Sequence, residues 1–93
     1  MMGYRFKRSV HRPDAEQQYI YAVSRMYRRL PQEQQARIRA LCDETGGEYS
    51  RELLVFVTTD RSATSVCAEY PISKQTLYRA VSKYYEAFPI PFE

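Results

Sequence analysis

Only one stretch of this chain has the texture of a β-strand, and a strand cannot stand alone. Residues 49–59, YSRELLVFVTT, carry the continuous apolar run Leu53, Leu54, Val55, Phe56 and Val57, with β-branched residues towards its end, as a buried strand would. No second segment offers it a partner, and an unpaired buried strand leaves its backbone N–H and C=O groups unsatisfied. Ser50 suits a helix cap, and residues 51–54 behind it are helix formers. The segment is therefore predicted as a buried helix, and the fold class as all-α.

Proline and glycine punctuate the rest into helix-length pieces. Pro13-Asp14 opens a first helix to about residue 29, with Asp14 and Glu16 in the first turn where the helix dipole favours them. Its apolar stripe is Tyr19, Val23, Met26 and Leu30, widened by Ile20 and Tyr27. Pro31 begins a second helix, because its missing N–H has no helical partner at that position. Ala36, Ile38, Leu41 and Cys42 form its apolar side, and Gly46-Gly47 ends it. Ser62 caps a short helix over residues 62–69 with Ala63, Val66, Cys67 and Tyr70 on the apolar side. After the turn Tyr70-Pro71-Ile72, Ser73 caps a last helix to about residue 88, with Leu77, Ala80, Val81, Tyr84 and Phe88 inward. Pro89 and Pro91 stop it. The expectation is a small five-helix bundle at 14–93, one domain, preceded by a basic flexible arm at 1–13. Tyr84, Tyr85, Phe88, Ile90 and Phe92 gather apolar surface at the end of the chain, either for a dimer contact or to fold back on the first helix.

At 93 residues there is material for one modest core. Nine tyrosines and no tryptophan imply many rings half in the core with hydroxyls near water. No apolar run reaches the roughly 18–20 residues of a membrane span. The start, MMGYRFKRSVHR, is basic and lacks the apolar stretch of a secretory signal, so the expected location is the cytoplasm. Cys42 and Cys67 form no zinc-ligand spacing with the single histidine, His11, and are expected as free thiols in a reducing compartment. The net charge of +3 is unevenly laid out: +4 over residues 1–12, −2 over 13–60 and +1 over 61–93. Two positive ends are compatible with a polyanionic partner.

Residues 63–82 fit the pattern of a helix-turn-helix. Cys67 is the small residue where the two helices touch, Val66 and Tyr70 flank it, and Ile72, Leu77, Ala80 and Val81 supply the apolar positions after the turn. Pro71 stands where the turn usually carries glycine. The string Ile72-Ser73-Lys74-Gln75-Thr76-Leu77-Tyr78-Arg79 resembles the start of the recognition helix in tetracycline-repressor-family regulators and in resolvase-type recombinase DNA-binding domains. Leu30-Pro31 followed by residues 32–41 resembles the opening of sigma-factor region 4, a fold related to those of small phage and mobile-element regulators. The likeness implies a helix-turn-helix at 62–88 and a transcriptional regulator, phage or mobile-element encoded, acting on double-stranded DNA. A second copy of the chain or RNA polymerase would be the further partner.

A recognition helix presents its N-terminal outward residues to base edges. On a helix starting at Ser73 these are Lys74, Gln75, Tyr78 and Arg79, with Ser82 and Lys83 one turn on. Lysine and arginine match the guanine acceptors, and glutamine matches adenine. Ser73 and Thr76 suit phosphate contacts, as do Lys83 and the arm residues Arg5, Lys7, Arg8 and Arg12. No acidic side chain occurs between Pro71 and Tyr85. The plainer alternative for this helix is a solvated outer face, since apolar periodicity by itself speaks only of a core. For the whole chain, the alternative is an adaptor that binds another protein through the bundle and exposed tyrosines. No Gly-rich phosphate loop, paired acidic motif or nucleophile–histidine pairing appears, so an enzyme, a cofactor and a small-molecule substrate are not expected.

Overall fold

The computed structural model describes residues 10–92, and among them every regular element is helical. Helix α1 spans Asp14–Arg25, α2 spans Gln32–Gly46, α3 spans Ser50–Thr58, α4 spans Ala63–Glu69 and α5 spans Lys74–Ala87. Single 3-10 turns at Tyr27–Arg29 and Gly47–Tyr49 follow α1 and α2. The chain passes from α2 to α3 through a single 3-10 turn, and Gly47, with φ of 57° and ψ of −126°, turns the corner. That backbone is open to glycine and strained for any L side chain.

The segment 49–59 is helical, and its continuous apolar run is distributed around the helix. Leu53 and Val57 are buried, while Leu54, Val55 and Phe56 pack half-buried against the same core. Ser50 is not its cap: it already has helical φ and ψ, and Tyr49 holds the capping position without a side-chain bond. The 3-10 turn leads straight into the helix, so Ser50 never takes the extended backbone that a capping side chain needs.

The inward face of α1 also differs from its apolar stripe. The buried residues are Gln17, Ile20 and Ser24, whereas Tyr19 and Met26 are exposed. Each polar group goes in with a hydrogen-bond partner. Gln17 donates from Nε2 to the carbonyl of Arg12 at 3.1 Å, and the Ser24 hydroxyl lies 2.7 Å from that of Tyr84. The α-helix stops at Arg25, short of residue 29. Pro31 holds Leu30 extended (φ −78°, ψ 152°), and the preceding turn tightens to 3-10 geometry. In α2, Ile38, Leu41 and Cys42 are buried as their spacing predicts, but Ala36 faces solvent.

Helix α2 packs along α3 and α5, and α1 lies against α3. Leu77, Ala80, Val81, Tyr84 and Tyr85 from α5, and Phe88 just after it, enter the core. The tail folds back on α1: the Phe92 N–H donates to the Tyr19 hydroxyl at 3.1 Å, and the Phe88 ring meets Tyr19 edge-on. Val10 and Arg12 are held against the bundle, while His11 and Pro13 between and after them are exposed. Val10 is buried, and the Arg12 guanidinium donates to the carbonyls of Glu86 and Phe88 at 3.1 and 2.6 Å while pairing with Glu16. The expected arm therefore gives up Val10 and Arg12 to the bundle, because Arg12 satisfies carbonyls that the end of α5 leaves open.

Six of the described tyrosines besides Tyr19 and Tyr78 have rings at least half-buried. Their hydroxyls tie elements together: Tyr84 to Ser24 across the core, and Tyr27 as acceptor for Arg39 at 2.8 Å. A bundle this small gains aromatic burial and cross-links from the same residues.

Candidate nucleic-acid interface

Helix α5 is set by a cap at one end and an anchor ahead of it. Ile72 is buried. Ser73 is extended, and its Oγ accepts from the Thr76 N–H at 3.1 Å while donating to Thr76 Oγ1 at 2.9 Å. Ser62 caps α4 in the same way, accepting from the Ser65 N–H at 3.1 Å. In both, the hydroxyl satisfies an N–H that the first turn leaves open.

Because the core takes Leu77, Ala80, Val81 and Tyr84, the opposite stripe of α5 is left outside. Lys74, Gln75, Tyr78, Arg79 and Lys83 are exposed, and Thr76 and Ser82 are half-buried at its margins. Tyr78 is 43% exposed, and its ring stands edge-on to Phe56 of α3, 6.4 Å between centroids. The three ion pairs of the described residues, Arg12–Glu16, Arg25–Asp60 and Arg61–Glu69, all lie elsewhere. Lys74, Arg79 and Lys83 make no hydrogen bond or ion pair with a described residue. Glu69, the acid nearest the turn, is held by Arg61 at 2.6 Å.

The expected residues thus separate into three groups. Ser73, Lys74, Gln75, Thr76, Tyr78, Arg79, Ser82 and Lys83 come together on one helix. Arg12 is committed to the opposite end of that helix, far along it from Ser73, and cannot share a phosphate-holding role there. Arg5, Lys7 and Arg8 lie outside the described residues.

Three further residues come from the corner between α2 and α3. Thr45, Gly46 and Tyr49 face Thr76, Arg79, Ala80 and Lys83 across a cleft of about 190 Å³. The Gly46-Gly47 pair announces a turn in the sequence, but not which helix that turn will meet. Elsewhere along α2, Arg37, Leu41 and Glu44 face Pro89, Pro91 and Phe92 across a separate groove of about 410 Å³.

Among the described residues, no three His, Cys, Asp or Glu side chains come together to hold a metal ion. Cys42 and Cys67 are free thiols, and burial pushes the Cys42 thiol up to about 12, which suppresses thiolate chemistry at neutral pH. No described helix is long and apolar enough to cross a membrane. Comparison with known proteins finds no family model, no curated protein and no solved structure that matches this chain.

Proposed function

We propose that this chain is a DNA-binding transcriptional regulator in which α3, α4 and α5 form the tri-helical helix-turn-helix of a five-helix domain, with α5 entering the major groove. One observation carries the reading: the outward stripe of α5 holds three cations, Lys74, Arg79 and Lys83, that pair with no described residue, and no carboxylate from Lys74 to Tyr85, on a helix fixed at both ends. Lys74, Gln75 and Tyr78, at the N-terminal end of the stripe, contact base edges. Ser73 and Thr76 contact phosphate at the helix start, and Lys83 does so one turn beyond Arg79. The partner is double-stranded DNA. The adaptor alternative relies on exposed tyrosines; of the described ones only Tyr19 and Tyr78 are more than a third exposed, and Tyr78 belongs to the α5 stripe itself.

The test is fluorescence anisotropy on a mixed-sequence duplex at about 50 and about 200 mM salt, conditions between which counterion release changes affinity steeply. The wild type is expected to bind with a Kd of roughly 1–100 μM and to weaken as salt rises. Lys74→Ala/Gln75→Ala binds more weakly while keeping the helical circular dichroism of the wild type. Absence of binding at the lower salt would overturn the proposal.

A further inference from the structure

The cleft between α5 and the α2–α3 corner has a composition that a solvated helix face does not require. Thr76, Arg79, Ala80 and Lys83 follow one another at i, i+3, i+4 and i+7, so they form one side of α5, turned towards Thr45, Gly46 and Tyr49. No carboxylate lines it. Glu44, next to Thr45 in sequence, lines the separate groove beside Ala87 and Pro89. Arg79 and Lys83, four residues apart on a helix, repel one another, and nothing among the described residues neutralises them.

The hydroxyls sort by what they have left to give. Thr45 spends its proton on the carbonyl of Leu41 at 2.8 Å. Thr76 Oγ1 accepts from Ser73, so its own O–H remains to donate. The Tyr49 hydroxyl has no partner among the described residues. The cleft therefore offers a guanidinium, an ammonium and two O–H donors, and no charged acceptor. Two helix dipoles meet at the corner, the carbonyl end of α2 and the amide end of α3, and they oppose one another. The side-chain charges then decide the sign of the cleft. At about 190 Å³ it falls short of the roughly 300 Å³ at which small-molecule pockets begin, and suits a single tetrahedral oxyanion.

We propose that this cleft is a phosphate site, holding one phosphate group between Arg79 and Lys83 with Tyr49 and Thr76 as hydroxyl donors. Arginine matches phosphate oxygens with two parallel N–H donors, and lysine with a point charge. Resting on the DNA reading above, the phosphate is one of the duplex backbone, beside the groove that α5 enters. Arg79 then fixes register on the duplex and does not read a base. A free phosphate or a nucleotide's phosphate offers the same chemistry.

Two measurements separate the site from its source. In a ¹H–¹⁵N NMR titration with inorganic phosphate, saturable shifts are expected at the amides of Gly46, Tyr49, Thr76 and Ala80, and are lost in Lys83→Gln and reduced in Tyr49→Phe. Both substitutions act on side chains with no described partner, so the fold is retained. In duplex titrations, Lys83→Gln lowers the slope of log K against log salt by about one and weakens every sequence alike, on the order of tenfold at about 0.1 M salt. Clustered shifts with that slope change place a backbone phosphate in the cleft. Clustered shifts with an unchanged slope, or with no duplex binding at all, uphold the phosphate site for a free phosphate or nucleotide while the DNA reading fails at this cleft. A slope change without shifts upholds it for phosphodiesters. Neither shifts nor a slope change overturns it.

Discussion

The Ser24–Tyr84 hydrogen bond ties α1 to α5 inside the core, and its removal has a calculable cost. Both residues are almost completely buried, at 1% and 0% exposed, and their oxygens are 2.7 Å apart. In Tyr84→Phe the ring still fills its space against Tyr85 and Phe88, so no cavity opens. The loss is confined to the hydroxyl and to the partner stranded by it. A buried group deprived of its partner costs about 1–3 kcal/mol. The Ser24 hydroxyl can recover part of this by bonding back to the carbonyl four residues earlier in α1, so the upper end is not reached. The expected destabilisation is about 1–2 kcal/mol, a fall in Tm of about 4–16 °C for a domain of this size. Ser24→Ala strands the tyrosine hydroxyl and costs a similar amount. The double variant strands neither group, so it should be more stable than the sum of the singles by about 1 kcal/mol. Urea unfolding of all four proteins, followed by circular dichroism, gives the cycle. Additivity within about 0.5 kcal/mol would refute the reasoning, because the hydroxyls would then act independently.

Four further outcomes follow from the same structure. Burial, assisted by the Asp43 charge, pushes the Cys42 thiol from 9.0 up to about 12, so above about pH 9 the unfolded chain releases a proton that the folded chain keeps. Stability should then fall with rising pH, at most about 1.4 kcal/mol per pH unit from this group, and Cys42→Ala should remove that share of the slope in urea titrations from about pH 8 to 11. Tyr84, raised by burial and by nearby Cys42 and only partly lowered by its bond to Ser24, adds a loss of the same sign above about pH 10 that Tyr84→Phe abolishes. Ser73→Ala and Ser62→Ala should each cost about 1 kcal/mol in the urea midpoint, with Ser73→Ala also weakening any ligand at the start of α5. Gly47→Ala meets no atom within 4 Å yet should cost about 1–3 kcal/mol from its positive φ alone. Gly46→Ala should be near neutral, since its helix gain offsets a 3.1 Å approach to Leu53 that a side chain can relax; the opposite order in thermal unfolding would contradict this.

The sequence is most transparent at α5. There the apolar residues are also the buried ones, so spacing alone names both its faces, and Ser73 as cap follows from residue type. It is least transparent at α1, where Gln17 and Ser24 are drawn inward by partners at Arg12 and Tyr84, five and 60 positions away. Hydrophobicity carries no trace of such pairings. Arg12 shows the same effect at the surface: its charge suits a phosphate, but the open carbonyls at the end of α5 claim it first. The cleft beside α5 was hidden for a geometric reason. Thr45 and Tyr49 sit some 30 residues before Thr76 and Lys83, and only the corner at Gly47 brings them together.

The separation of the two faces of α5 bears on what its outer residues can do. Its inner face is fixed by Leu77, Val81, Tyr84 and Phe88, all at most 1% exposed, so the helix cannot roll without breaking the core. Its start is capped by Ser73 and its end by Arg12, which fixes both termini. Side chains on such a helix approach a ligand from a prearranged backbone, and binding orders only their own rotamers. Substitutions there leave the core untouched and belong to the class of surface changes worth within about 0.5 kcal/mol of stability. A loss of affinity in Lys74, Gln75 or Lys83 variants is therefore a statement about the interface, because the fold has almost no stake in those residues.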